Sequence, residues 1–114
     1  MNSFIISTLG EISSAFPLNG SDFSLEELQD ALNGYIEVVP IKRNVGPIIF
    51  NELDKEGIEI ELTDEYIMVV NSEGKFETPD FNYIATVLAK KSGSIMPNDW
   101  IAGNVLICPS KMVK

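Results

Sequence analysis

Histidine does not occur in this chain, and its absence excludes more chemistry than any motif present supplies. Without imidazole there is no Ser-His or Cys-His nucleophile pair, no histidine zinc site and no side chain that titrates near neutrality as a general base. Cysteine is almost as scarce. Cys108 stands alone among 114 residues, so no internal disulfide can form and a reducing interior is the expected setting. Its place in "NVLIC", an expected strand, reads as packing rather than nucleophilic chemistry. Apolar runs are short, none approaching the roughly 18–20 residues of a membrane span. The start "MNSFIISTLGEISS" puts no basic residue ahead of its apolar stretch, so a cleaved secretory signal is not expected. Glycines are scattered, and neither GxxxxGK nor GxGxxG occurs, which leaves no loop of the kind that cradles phosphate. Any catalysis would rest on carboxylates with a metal.

Basic residues are the other shortage. Seventeen acids against eight bases give a net charge of −9, and no Lys or Arg precedes Lys42, whereas that segment carries Glu11, Asp22, Glu26, Glu27, Asp30 and Glu37. Such a surface repels phosphate and disfavours direct contact with nucleic acid. The pairs Lys42 with Arg43, Lys90 with Lys91 and Lys111 with Lys114 are too sparse to argue for a basic patch. A protein with a basic surface is the electrostatically easier partner, although the same charge also serves plain solubility.

What is present specifies one folded domain. Hydrophobic residues make up 45% of the chain, ordinary for a globular protein, and the length suits a single core over residues 1–114. "SFIIST" and "EISSAF" flank Leu9-Gly10 and predict an opening hairpin, followed by the breaker-rich loop "PLNGSD". In "SLEELQDALNGYIEVVPI", Ser24 and Glu27 have capping-box spacing, and Phe23 with Leu28 has the spacing of a hydrophobic staple. Leu25, Leu28 and Leu32 share one helical face. Asn33-Gly34 should end this helix, with the glycine taking the left-handed conformation, and "YIEVVPI" should be a strand.

Residues 42–57 are less regular. Pro47 is placed to open a short helix running to Gly57. "GIEIEL" alternates as a half-buried strand does, and "EYIMVV" has the continuous apolar character of a central strand. "NSEGKF" is a turn around Gly74. In "TPDFNYIATVLAKKSG", Thr78 as cap and Pro79 at the first position predict a helix over 79–91, with Phe81, Ile84, Ala85 and Leu88 as its apolar stripe. Lys90 and Lys91 fall in the last turn, where the helix dipole favours cations. "NVLIC" is the last strand. The fold expected is α+β, with two helices packed on one mostly antiparallel sheet in a two-layer single domain. The expected inward set is Leu25, Leu28, Leu32, Ile36, Val38, Ile67, Val69, Phe81, Ile84, Leu88, Val105 and Ile107.

The carboxylates crowd one place. "ELDKEGIEIELTDE" holds Glu52, Asp54, Glu56, Glu59, Glu61, Asp64 and Glu65 against Lys55 alone. Glu59 and Glu61 would project from the same side of a strand, one pleat apart. The order is not that of a calcium loop, and no metal or other cofactor is assigned. Two readings stay open: a solvated outer face, or a display of charge that binds a basic partner and imitates DNA phosphates. "PNDWIAGN" offers Trp100 beside Asp99 either as an interface anchor or as a core plug.

Three segments together carry a resemblance: "NGSDFSLEELQDALNGYIEVVP", "YIMVVNSEGK" and "DWIAGNVLICPSKMVK". They resemble a family of small uncharacterised domains from phages and conjugative elements of gut bacteria, in which a similar helix, Gly-Tyr-Ile-Glu strand, Val-Asn-x-Glu-Gly-Lys turn and Ile-x-Gly-Asn strand recur. The resemblance implies a fold and a mobile-element setting in the host cytoplasm, and it transfers no catalytic residue. The stretch from about 42 to 64 looks longer than its counterpart, an acidic insertion in which a specific function would be added. The resulting expectation is a non-enzymatic accessory protein that binds and modulates or inhibits a host protein, in the form of a counter-defence protein acting as an acidic DNA mimic. The alternative is a domain that binds or sequesters a nucleotide or signalling metabolite, with self-association into a homo-oligomer open in either case.

Overall fold

A computed structural model describes residues 3–50, 58–73 and 80–113, with backbone alone at 48–50 and 58. The chain runs through β1 (Phe4–Ile6), β2 (Ile12–Ser14), α1 (Leu25–Leu32), β3 (Ile36–Pro40), β4 (Val45–Phe50), β5 (Ile58–Leu62), β6 (Tyr66–Asn71), α2 (Tyr83–Lys91), β7 (Val105–Pro109) and a closing 3₁₀ turn (Ser110–Met112). Five strands form one sheet in the order β2-β1-β7-β6-β3, every neighbouring pair antiparallel, and β4 pairs with β5 in a separate two-stranded sheet. This is the α+β architecture expected, with two helices packed on a mostly antiparallel sheet.

The helices take opposite faces of that sheet. Ile67 and Val69 of β6 and Leu106 and Cys108 of β7 pack with Phe23, Leu28 and Leu32 on the α1 side. Their neighbours Met68, Val70, Val105 and Ile107 pack with Ala85, Leu88 and Ala89 on the α2 side, together with Val45, Ile60 and Leu62 of the small sheet. Strand side chains alternate between faces, so β6 and β7, apolar at consecutive positions, require cover on both. Hydrophobic pattern alone does not distinguish this arrangement from a two-layer stack, because it says which residues are apolar but not which face each helix will take. Interior strand "EYIMVV" is fourth in the order, and β7 holds the middle.

Local signals explain most boundaries. The β1–β2 hairpin closes through Ser7, whose Oγ accepts from Leu9 and Glu11 N–H at 3.2 and 3.1 Å, with Gly10 at φ +83°. The capping box of α1 is formed: Ser24 Oγ accepts from Glu27 N–H at 3.2 Å, and Glu27 Oε1 accepts from Ser24 N–H at 3.5 Å. Phe23 and Leu28 are buried in one cluster, as a staple requires. The residue in the left-handed conformation at the end of α1 is Asn33 (φ 61°, ψ 37°), not Gly34. Asparagine tolerates this region, and the helix end is also held from the sheet, where Asn71 Nδ2 donates to the carbonyls of Leu32 (2.9 Å) and Asn33 (3.3 Å).

Two expected helical segments are corrected. Of the helix expected over 47–57, residues 47–50 are strand; 51–57 lie outside the described residues. Three steps along β4, from Val45 to Ile48, match two along β5, from Leu62 to Ile60, so Gly46 and Pro47 face Glu61 in a bulge. Proline is compatible with a bulge because it has no ladder N–H to lose there. The β-branched and aromatic run around it then favours strand over helix. The second helix begins at Tyr83 with Asn82 as its cap, not near 79. Phe81 is instead bridged to Ala102. Thr78, Pro79 and Gly74 lie outside the described residues.

The inward set is corrected at Leu25, Val38 and Phe81, which are 59%, 45% and 50% exposed. Leu25 opens α1, Val38 is on edge strand β3, and Phe81 stacks at the surface. Ile36 and Ile84 are half-buried against the two clusters, and the remaining members are buried.

Asn82 ties three parts of the fold together. Fully buried, it donates through Nδ2 to the carbonyls of Ile6 (3.1 Å) and Gly103 (2.9 Å) and accepts from Ala85 N–H at 3.1 Å. It thus joins β1, the approach to β7 and the first turn of α2. Replacing it by Ala would remove a cap and strand two carbonyls, so Asn82→Ala is expected to destabilise by roughly 2–4 kcal/mol, against about 1 kcal/mol for Ser24→Ala. Urea unfolding of the two variants beside the wild type measures the difference.

Candidate partner-binding surface

The small sheet positions the carboxylates singled out in the sequence. Ile60 and Leu62 of β5 are buried, so strand alternation turns Glu59 and Glu61 outward, and both are exposed. Glu61 lies across Gly46, where an added Cβ would approach its Cγ to 3.0 Å. Glycine in the bulge therefore leaves room for the glutamate chain. Asp64 and Glu65 are exposed in the turn to β6. That turn is anchored: Glu65 N–H donates to Thr63 Oγ1 at 3.3 Å, and the Glu65 carbonyl accepts from Ser110 N–H at 2.7 Å. Glu52, Asp54 and Glu56 lie outside the described residues. Four of the seven are thus exposed, two on the outer face of β5 and two in the turn that follows it. Among the described residues no group of three or more His, Cys, Asp or Glu is placed to hold a metal ion.

The bases are less dispersed than the sequence suggests. Lys42 and Arg43 N–H both donate to the Ser92 carbonyl at the end of α2 (3.1 and 2.9 Å), which brings them beside Lys90 and Lys91. The Arg43 guanidinium occupies the place of a side chain at Gly93, 3.0 Å from where a Cβ would stand, and Gly93 has φ +70°. Half of the eight basic residues therefore gather where the helix dipole is negative, drawn from segments almost fifty residues apart. Ser94 Oγ donates to the Pro40 carbonyl at 2.6 Å and closes the same junction. No local sequence signal could have announced this pairing.

Trp100 is half-buried, neither core plug nor free anchor. Its ring lies 6.1 Å from that of Phe81, which meets Tyr83 edge-on at 6.4 Å. Beside it a cavity of about 160 Å³ is lined by Glu37, Val39, Val70, Asp99, Ile101 and others, with no cation among them. Two carboxylates in its lining oppose a phosphate-bearing ligand at this cavity.

A second groove was not anticipated. About 330 Å³ in volume, it runs between α1 and the β1–β2 hairpin and is lined by Ile5, Ala15, Phe23, Leu28, Ala31 and Leu106. Phe16 and Leu18 stand at its rim, 81% and 89% exposed. The usable signal was "SSAFPLNGSDF", where large apolar residues sit among breakers. Because β2 ends at Ser14, Phe16 has no sheet to pack against.

Cys108 is fully buried on β7 facing α1, and burial pushes its thiol from 9.0 up to about 11. In the native fold it should resist alkylation at neutral pH and react once the chain is unfolded. Its linkage has one sign. The raised value means the unfolded chain ionises first, so the stability contribution is complete below about pH 9 and is lost as pH rises toward about 11. Cys108→Ala should abolish that part of the alkaline decline, measured as unfolding free energy against pH for wild type and variant.

No helix among the described residues is long and apolar enough to cross a membrane. Comparison with protein-family models, with curated proteins and with solved structures finds no match.

Proposed function

We propose that this is a non-catalytic binding protein of a phage or conjugative element that acts inside the host cytoplasm by engaging a host protein with a basic surface. The observation that carries the reading is β5 and its following turn: Glu59 and Glu61 are exposed on a strand whose other face is built into the core, and Asp64 and Glu65 are exposed in the turn to β6. A rigid display differs from a flexible acidic tail because its charges keep a fixed spacing, about 6.7 Å for residues two apart on a strand. Fixed charge attracts an oppositely charged surface over a Debye length and sets the rate of encounter. Where the host protein is a nucleic-acid enzyme, the display competes with phosphates for the same cationic groove, which is the counter-defence, DNA-mimicking form of the reading. The mobile-element setting is supported by the sequence resemblance. The absence of histidine excludes Ser-His and Cys-His nucleophile pairs.

The test takes a basic nucleic-acid enzyme recovered with the protein from its host by mass spectrometry. Binding is then measured across a salt series for the wild type and for the combined variant E59Q/E61Q/D64N/E65Q. All four positions are exposed, so the variant should unfold within about 1 kcal/mol of the wild type. Its affinity at low salt should fall about tenfold, mainly through slower association, and the two proteins should converge as salt rises. Salt-independent binding with no loss in the variant would sink the reading and leave this edge as a solvated face.

A further inference from the structure

We infer that the groove between α1 and the β1–β2 hairpin is a docking site for a short amphipathic segment of a partner protein, one presenting apolar side chains flanked by lysine or arginine. The inference rests on the reading of the protein as a binding module and adds a second, independent contact, since this groove lies on the α1 face of the sheet and the acidic hairpin packs on the other.

Both halves of the partner's chemistry follow from the groove. Its floor is apolar, made by Ile5, Phe23, Leu28 and Leu106, and two large apolar side chains at its rim, Phe16 and Leu18, are left almost wholly in water. Exposed apolar surface that is contiguous with an apolar groove marks a contact for another molecule, whereas single scattered residues do not. The rim is held in position: Glu27 Oε2 accepts from Leu18 N–H at 3.1 Å, so the carboxylate that completes the α1 capping box also ties the loop against the helix. Asn19 fixes the loop tip, accepting from Asp22 N–H at 2.9 Å and donating to Asp22 Oδ1 at 2.7 Å. The exposed side chains are therefore presented on a fixed turn.

Charge selects the occupant. Apart from Leu106, every lining residue falls within the first 41 positions, where no Lys or Arg occurs, and the charged residues of the lining are the carboxylates Glu27 and Asp30. A second copy of the chain would bring the same carboxylates face to face, and an anionic lipid surface would meet them with like charge. An apolar segment with flanking cations satisfies both the floor and the rim, as in helix-in-groove recognition.

The probe is a labelled amphipathic peptide of Leu and Lys with apolar residues at i, i+3, i+4 and i+7, beside a matched peptide with every Lys replaced by Glu. Binding is measured for the wild type and for F16S/L18S. The substituted apolar positions are exposed, so thermal melts should show the fold retained. The Leu/Lys peptide should bind the wild type and bind F16S/L18S at least tenfold more weakly, and the Glu-bearing peptide should not bind. Equal binding by wild type and F16S/L18S would overturn the docking site, as would failure of the wild type to bind. Self-association of the wild type that F16S/L18S abolishes would also overturn it, making the occupant a second copy. Loss of host-partner binding in the acidic-hairpin variant alone would leave the broader reading standing without the groove, and the reverse pattern would leave the groove without the hairpin.

Discussion

The structure depends on burying β6 and β7 from both sides. Met68, Val69, Val105, Leu106, Ile107 and Cys108 are at most 1% exposed and alternate between two apolar clusters. Two adjacent strands of this kind expose a large apolar area on either face until something covers it, at about 25 cal/mol for each Å² removed from water. One helix cannot do this. The chain therefore places α1 on one side and α2 with the β4–β5 hairpin on the other, and the remaining strands extend the sheet outward from this pair. An acidic segment that looks dispensable in the sequence is thereby part of the core, through Val45, Ile60 and Leu62.

Covering both faces creates a polar problem at the element ends, where backbone groups are buried away from water. Small polar side chains solve it. Asn82 satisfies two carbonyls and one N–H around the start of α2, Asn71 closes the end of α1, and Ser92 with Ser94 joins the end of α2 to the end of β3 at Pro40. Thr86, buried in α2, accepts from Ile101 N–H at 3.0 Å. No buried side-chain nitrogen or oxygen among the described residues lacks a partner. These contacts lock the layers in register, which packing of interchangeable aliphatic side chains would not do alone.

The surface that results is divided by sign and polarity. Glu59 and Glu61 are exposed on β5 and Glu27 and Asp30 line the groove beside α1, whereas Lys42 and Arg43 are bonded to the end of α2, next to Lys90 and Lys91. Such separation gives the protein a directional field, which governs encounter and orientation more than final affinity. Apolar contact at the groove would supply the short-range part that screened charges cannot.

The sequence by itself determined the elements whose signals are local. Ser24 with Glu27, the Ile-Glu alternation of β5 and the apolar run of β6 each specify structure through neighbours a few residues away, and all three appear as read. The outward direction of Glu59 and Glu61 was legible for the same reason, because strand alternation is a local rule. Tertiary structure decided what depends on distant partners. Pro47 sits in a strand because β5 offers a bulge opposite it. Asn82 begins α2 because carbonyls of residues 6 and 103 come to meet its amide. Lys42, Arg43, Lys90 and Lys91 form one patch because the β3–β4 connection is bonded to Ser92. The groove beside α1 exists because β2 stops short and α1 lies on that face, and side-chain spacing along the chain cannot encode which face a helix will cover.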